Sequence, residues 1–203
     1  MTAILGVFIA YFLGSFPTSY LVTRWIKGVD IREQGSGNAG ATNVYRVVGK
    51  LPGAVVLVVD ALKGWIPVVL MARWIAGSGD AGVPIDWLKA VYGLVAVCGH
   101  IWSPFLGFKG GKGVATATGV LIGLNPLCAL FAALIWLITT ALSRYVSVGS
   151  IVAVASTPLL LVVANQPPSW VIASAVICMI VVYKHKSNII RLLRHDENRI
   201  GSS

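Results

Sequence analysis

Successive apolar runs, each long enough to cross a bilayer, constrain this chain more than any other feature of its sequence. A membrane-spanning helix needs about 20 apolar residues, with a range near 17 to 25. Only 11% of the residues are charged, whereas a soluble domain carries about a quarter. The sequence therefore predicts a single-domain, all-α polytopic membrane protein with seven transmembrane helices. The expected spans are residues 3–25, 52–74, 87–108, 113–124, 126–142, 150–165 and 169–183.

Two of these boundaries come from splitting longer apolar blocks. Gly123, Asn125 and Pro126 interrupt the first block, and the turn at 165–168, Asn-Gln-Pro-Pro, interrupts the last one. Glycine, asparagine and proline commonly mark turns. A chain of five helices, in which these blocks stay whole, remains the alternative.

The distribution of positive charge predicts how the chain is oriented. Most of the 16 lysine and arginine residues fall in the loop 24–51, in the short loops near 110 and 145, and in the tail after 183. With seven spans and the N-terminus outside, all of these segments face the cytoplasm, as the positive-inside rule requires. The first apolar run has no basic residues before it, so we expect a span there and not a signal peptide.

A polar loop at residues 35–46, GSGNAGATNVYR, interrupts this apolar chain. Its glycines match the spacing of the dinucleotide fingerprint, but that motif needs a preceding strand, which the apolar helices do not provide. Glycines let backbone N–H groups approach an anion, and the guanidinium of Arg46 matches phosphate. An ordinary turn satisfied by its own side chains is an equal alternative on this stretch alone. The candidate binding residues are Gly35, Ser36, Gly37, Asn38, Thr42, Asn43 and Arg46.

A second glycine-rich loop, within GHIWSPFLGFKGGKGVATATG at 99–119, places Gly110, Gly111 and Lys112 just before a predicted helix. It is not a nucleotide phosphate loop, because Leu106 stands where that motif has its first glycine and Gly113 follows the lysine. A lysine among glycines at a helix N-terminus still favours an anion. The alternative is a positively charged membrane anchor. We expect His100 to be a capping or core histidine.

Two further polar segments lie at the predicted cytoplasmic ends of the last helices. SVGSI at 147–151 places Ser147, Gly149 and Ser150 at a predicted helix start, as N-cap candidates beside open N–H groups. KHKSNIIRLL at 184–193 places His185 and Asn188 three residues apart, on one face of a helix. The alternative for this tail is a basic amphipathic helix on anionic lipid.

Two charged residues fall inside the second predicted span. A charge at the centre of the bilayer costs at least about 2.5–3.5 kcal/mol. Asp60 and Lys63 are three residues apart, so we expect them to pair with each other and to face the protein interior. The three cysteines are isolated within apolar runs, which predicts small buried residues and no metal site.

In this order the five segments resemble the bacterial acyl-phosphate:glycerol-3-phosphate acyltransferases. The matching motifs are GSGNAGATNVYR, DALKG, GHIWSPFLGFKGGKGVAT, SVGSI and KHKSNIIRLL, and the resemblance runs from about residue 10 to 200. It implies a multi-pass enzyme of the bacterial inner membrane with its active site facing the cytoplasm. The implied reaction moves an acyl group from acyl phosphate to the 1-hydroxyl of glycerol 3-phosphate. The products are lysophosphatidic acid and phosphate, in the first step of phospholipid synthesis.

The resemblance also implies which residues act and which partners are needed. By motif, Ser36, Arg46, Lys112, His185 and Asn188 are expected to be catalytic, and Gly149 and Ser150 to bind substrate. The other loop residues expected to bind substrate are Gly35, Gly37, Asn38, Thr42, Asn43, Gly110 and Gly111. The expected partners are glycerol 3-phosphate, acyl phosphate and membrane lipid. No cofactor, metal, nucleic acid, acyl-CoA or acyl carrier protein is expected.

Two observations bear on this chemistry independently of the resemblance. Thioester-dependent acyltransferases carry an aspartate five residues after a histidine, and none of the three histidines here is followed by one. Acyl phosphate is already activated, so an enzyme that uses it needs cations and N–H groups more than a strong base. The competing hypothesis is a transporter of small phosphorylated anions. The placement of the polar motifs on one face only disfavours a transporter.

Overall fold

The computed structural model describes residues 2–77 and 82–201. All regular secondary structure within these ranges is helical, which confirms the predicted all-α class. The helices form two compact units, Met1–Leu124 and Asn125–Ser203. The expectation of a single domain stays a prediction.

The first unit contains seven helices among its described residues, and its first long helix is broken. Pro17 has no backbone N–H to donate, and the helix is interrupted between Ser15 and Thr18 before it continues. The π-helical turn Pro67–Met71 similarly joins the fourth helix to the fifth. The bounds are α1 Thr2–Ser15, α2 Thr18–Lys27, α3 Ala41–Val47, α4 Lys50–Ile66, α5 Ala72–Gly77, α6 Ile85–Ile101 and α7 Val114–Leu124.

Glycines allow the helices of the first unit to touch backbone to backbone. A Cβ at Gly14 of α1 would overlap the backbone of Ala96 in α6, and a Cβ at Gly119 of α7 would overlap that of Ala61 in α4. Lipid tails are as apolar as leucine, so helices in a membrane associate through such close packing and not through the hydrophobic effect. These contacts hold α1 on α6 and α4 on α7.

The second unit contains four helices in the part of the chain that the structure describes: α8 Pro126–Ser143, α9 Val146–Val163, α10 Pro168–Lys184 and α11 Lys186–Leu193. The side chain of Asn125 caps α8 by accepting the N–H of Cys128 at 2.9 Å, with Pro126 in the first turn. Helices α10 and α11 meet at His185 with a bend of 52°. The predicted breaks near 125 and at 165–168 are therefore confirmed.

Within the described residues, four helices are long and apolar enough to cross a membrane, and a fifth qualifies if α10 and α11 count as one bent span. The first two are Thr2–Lys27, which joins α1 and α2, and Lys50–Gly77, which joins α4 and α5. The other two are Pro126–Ser143 and Val146–Val163, and Val114–Leu124 is a shorter apolar helix. The seven-span count and the orientation stay predictions.

The third predicted span extends beyond the end of the corresponding helix. The third was expected to reach residue 108, but α6 ends at Ile101. Ser103 is extended because it precedes Pro104, and the proline ring disfavours helical geometry in the residue before it. The residues from 102 to 108 belong to the loop that carries the second glycine motif.

We expect Gly119→Ala to destabilise the protein by about 1–3 kcal/mol, because the added methyl group overpacks the α4–α7 contact. Thermal denaturation in detergent measures this as a lower midpoint. The matched control is Gly77→Ala, which places the same methyl group on a helix where nothing lies within 4 Å. Equal midpoints for the two variants would contradict the packing described here.

Candidate functional site

Asn43 organises the first polar loop. Its side chain is buried, and its amide nitrogen donates to the carbonyls of Ile31, Gln34 and Asn38 at 3.1, 2.9 and 3.1 Å. Its oxygen accepts the N–H of Ser36 at 2.9 Å. Both polar atoms of this amide are therefore engaged with the loop backbone. For this predicted substrate-binding residue, the structure shows a role in shaping the loop.

The loop glycines are required by the backbone. Gly35 and Gly37 have φ of +58° and +71°, which glycine adopts at little cost. A Cβ at Gly35 would also overlap the Oδ1 of Asn43. The N–H of Gly37 donates to the carbonyl of Gln34, as that of Ser36 does to Asn43. These two N–H groups are therefore hydrogen-bonded within the loop. This agrees with the alternative interpretation of the sequence, an ordinary turn stabilised by its own side chains.

The polar side chains that follow this loop are presented on α3. Thr42 and Arg46 are four residues apart and therefore share a face of the helix, and both are exposed. The close approach of α3 to α4 depends on Gly53, where a Cβ would meet the Cα and Cβ of Tyr45. This contact holds the backbone of α3, which carries Arg46, close against α4.

Arg32 joins the first loop to the second. Its guanidinium donates to the carboxylate of Asp30, with the shortest distance 2.6 Å, and to the carbonyl of Leu106 at 2.9 Å. The hydrogen bonds from Arg32 lower the pKa of Asp30 below its ordinary value. Sequence reasoning assigned Arg32 no role beyond membrane orientation, and its pairing with the nearby Asp30 was the available signal.

The second loop lies against the end of α6. Gly110 and Gly111 donate their N–H groups to the carbonyls of Ile101 and His100 at 3.0 and 3.2 Å. A Cβ at Gly111 would overlap the ring of His100 and come within 2.6 Å of the carbonyl oxygen of Ala39. The structure therefore brings the two glycine motifs together at Ala39 and Gly111. Lys112 follows directly and is half-buried.

A small polar pocket lies next to this junction in the first unit. Its charged lining comes from Asp60 and Lys63, whose side chains meet at 2.5 Å, so the predicted pairing is confirmed. Lys63 also donates to the carbonyl of Phe16, at the break between α1 and α2. His100 is buried at the pocket wall, as expected for a core histidine. The remaining polar lining residues are Ser15, Thr18, Ser19 and Ser103.

In the second unit, the predicted helix start is displaced. Helix α9 begins at Val146 with no side-chain cap, so the expectation that Ser147, Gly149 and Ser150 lie at capping positions is wrong. Residues 147–150 lie within the first turns because the helix starts directly after the αL residue Arg144. The hydroxyl of Ser150 donates to the carbonyl of Val146 at 2.8 Å.

Glu197 is the organising residue of the tail and was missed by sequence reasoning. Its buried carboxylate accepts from Ser147 at 2.9 Å, from Asn188 at 2.6 Å and from Arg191 at 2.7 Å. Burial raises the pKa of this carboxyl, and the three hydrogen bonds outweigh that effect, so the pKa lies below its ordinary value. An acidic residue in an otherwise basic tail was the available signal.

His185 and Asn188 are both buried, at 3% and 5% exposure. A helix that only rests on lipid would leave them at the surface, so that alternative does not account for them. The Nδ1 of His185 lies 2.7 Å from the carbonyl of Val181. A carbonyl only accepts, so Nδ1 carries the proton in this contact, and a neutral ring would then have its lone pair on Nε2.

Comparison with known proteins identifies the family. The model for the family described as glycerol-3-phosphate acyltransferase matches residues 4–195. The chain belongs to this family. The glycerol-3-phosphate acyltransferase of Geobacter sulfurreducens is 48% identical over 191 residues, which cover 94% of each chain. Glycerol-3-phosphate acyltransferase 2 of Moorella thermoacetica is 46% identical over 198 residues, covering 98% of this chain and 97% of the relative.

Solved structures of this family share the fold. The crystal structure of PlsY (YgiH), an integral membrane glycerol 3-phosphate acyltransferase, in its glycerol 3-phosphate form superposes with a TM-score of 0.89 at 42% identity. It covers 99% of this chain and 96% of that one. The lysophosphatidic acid form of PlsY gives a TM-score of 0.87 with the same identity and coverage.

We expect the tail to loosen in acid because of Glu197. A carboxylate whose folded pKa is depressed stabilises the fold above its ordinary pKa of about 4.3, and that contribution is lost as the pH falls through the lower folded value. Hydrogen exchange of residues 184–201 between pH 7 and pH 3 measures the loss. Glu197→Gln is expected to exchange faster at pH 7 and to show a weaker pH dependence. A wild-type tail that is equally protected across this range would contradict the assignment.

Proposed function

We propose that this protein transfers an acyl group from acyl phosphate to the 1-hydroxyl of glycerol 3-phosphate. The products are lysophosphatidic acid and inorganic phosphate, and the reaction opens phospholipid synthesis. Family membership supports glycerol 3-phosphate as the acceptor. The forms in which PlsY was solved, with glycerol 3-phosphate and with lysophosphatidic acid, are consistent with this acceptor and product.

The observation that carries the proposal is the contact between the two glycine loops of the first unit. Gly111 lies against the carbonyl of Ala39. A second contact between the loops is the hydrogen bond that the Arg32 guanidinium donates to the carbonyl of Leu106. Both loops lead into cationic side chains, Arg46 and Lys112. Two anionic phosphate groups, one on each substrate, call for such cations in a fixed arrangement.

The chemistry needs electrostatic stabilisation more than activation of a nucleophile. Acyl phosphate is a mixed anhydride, and phosphate leaves readily once its charge is neutralised. In the first unit, Lys112 and Arg46 are proposed to bind the phosphate of glycerol 3-phosphate, and Ser36 is proposed to bind the head of the acyl phosphate. In the second unit, Asn188, Gly149 and Ser150 stay predicted site residues. Groups of this kind, aimed at developing charge, commonly supply the largest catalytic contribution.

The acceptor hydroxyl is proposed to attack the carbonyl carbon directly. Its oxygen forms the new ester bond, the bond from the carbonyl carbon to the bridging phosphate oxygen breaks, and phosphate departs with that electron pair. The hydroxyl proton passes to a base, which is either the Nε2 of His185 or the substrate's own phosphate. The lone pair on Nε2, required by the bond from Nδ1 to Val181, makes His185 suitable for this role.

The donor and the membrane arrangement are also part of the proposal. The chain lacks a histidine with an aspartate five residues later, so we propose that neither acyl-CoA nor acyl carrier protein is the donor. The proposal includes no cofactor or metal ion. Seven spans with the N-terminus outside would place the basic loops, and with them the active site, at the cytoplasmic face of the bacterial inner membrane.

We expect purified protein in detergent to release phosphate from acyl phosphate only when glycerol 3-phosphate is present. Lys112→Ala and Arg46→Ala should each lower kcat/KM by about 10²–10³, the usual effect of removing one such stabilising group. The control is Lys109→Ala, which removes an exposed lysine three residues from Lys112. Near-normal turnover in folded Lys112→Ala and Arg46→Ala proteins would contradict the proposed site. A transporter would show no turnover without a sealed compartment.

Direct attack predicts that no acyl-enzyme accumulates. In rapid-quench experiments, product should form without a burst of acyl group attached to protein, in wild type and in Ser36→Ala alike. Acylated wild-type protein that is absent in Ser36→Ala would instead identify Ser36 as a covalent nucleophile. Replacing acyl phosphate by acyl-CoA should abolish product formation.

A further inference from the structure

His100 lies directly beneath the turn that carries Lys112. It occupies the last turn of α6 and is 8% exposed. Its carbonyl accepts the N–H of Gly111 at 3.2 Å, and its ring faces the same residue, since a Cβ on Gly111 would overlap the Nε2. Backbone and ring of one residue thus form the surface on which the turn lies.

The other edge of the ring faces a fixed charge. The Nδ1 of His100 lies 3.9 Å from the Oδ1 of Asp60, which is beyond hydrogen-bond distance and within electrostatic range. The same oxygen accepts from the Nζ of Lys63 at 2.5 Å, and Lys63 also donates to the carbonyl of Phe16 at 2.5 Å. Phe16 precedes Pro17, where the first span is broken. A continuous series of contacts therefore runs from this break to the Gly111 turn.

We propose that His100 is a positioning residue that sets the place of the Gly110–Lys112 turn, and that Asp60 and Lys63 hold its ring from behind. The inference rests on the proposed function, in which Lys112 binds the phosphate of glycerol 3-phosphate. Lysine carries its charge on a flexible four-carbon chain, so its accuracy as a phosphate ligand depends on the backbone that bears it. Displacements of about 1 Å are enough to cost two orders of magnitude in rate.

The ring suits this task because its two edges meet different neighbours. The Nδ1 faces the carboxylate of Asp60. The Nε2 faces Gly111, where only a glycine fits because a Cβ would overlap this nitrogen. A smaller side chain would leave the turn unsupported on one side. The charged pair then serves to orient the ring, which accounts for two charges kept inside a membrane span at a cost of several kcal/mol.

The kinetic test compares His100→Ala with His100→Gln. We expect His100→Ala to raise KM for glycerol 3-phosphate about tenfold or more while KM for acyl phosphate changes less than about twofold. Glutamine restores a polar side chain of similar reach, so His100→Gln should recover part of the loss. The matched control, His195→Ala, removes an exposed histidine and should leave both constants unchanged.

A double-mutant cycle tests the ring contact itself. The nearest obstacle to a methyl group at Gly111 is the His100 ring, which His100→Ala removes, while the carbonyl of Ala39 remains. The nearest obstacle at Gly110 is the His100 carbonyl, which every variant keeps. The KM increase of the Gly111→Ala/His100→Ala double variant should therefore be at least several-fold smaller than the product of the two single-variant increases. Those of Gly110→Ala and His100→Ala should come closer to multiplying, since the carbonyl that Gly110 meets is present in every variant.

Several outcomes would overturn the inference while leaving the proposed function intact. One is an unchanged KM for glycerol 3-phosphate in folded His100→Ala protein that turns over normally. A second is equal rises in both KM values, and a third is multiplication of the Gly111 and His100 effects. Failure of both His100 variants to elute as monodisperse protein would show that the residue serves folding alone. Failure of the proposed function is a separate result, in which wild-type protein releases no phosphate in response to glycerol 3-phosphate.

Discussion

The packing of glycine against backbone is the contact on which the first unit depends. It brings α1 onto α6 at Gly14 and α4 onto α7 at Gly119, and it recurs where Gly110 meets the backbone at the end of α6. Helices in lipid gain little from burying apolar side chains against each other, so close approach has to supply the attraction. The same packing that assembles the helices therefore also positions the polar loops at their ends.

Polar side chains in both units are used mainly to hold backbone and to orient other polar groups. Asn43 satisfies four backbone groups of the first loop. Glu197 joins Ser147 at the start of α9 to Asn188 and Arg191 in α11. Buried polar groups that are fully hydrogen-bonded make a structure rigid, whereas partly satisfied ones destabilise it. Rigid loops of this kind suit a reaction whose barrier is lowered by fixed charges and dipoles.

The helical class, the breaks near Asn125 and at 165–168, and the pairing of Asp60 with Lys63 were all predictable from local sequence. Each follows from a rule that acts over a few residues: the length of an apolar run, turn-forming residues, or the cost of an isolated charge in lipid. The motifs also led to the correct family. The end of α6 and the start of α9 were misplaced, because backbone geometry at Pro104 and Arg144 decides them.

Long-range contacts could not be predicted from the sequence, as the partners of Arg32, Glu197 and His100 show. Arg32 reaches Leu106, 74 residues along the chain, and Glu197 reaches Ser147, 50 residues away. The local signals, a charge pair at Arg32 and an acidic residue in the basic tail at Glu197, do not identify these distant partners. The sequence by itself determined an all-helical membrane chain with glycine-rich and cationic motifs, since hydropathy and residue chemistry are local properties. Only the tertiary structure decided which polar groups face each other, because those pairings depend on how closely distant helices approach.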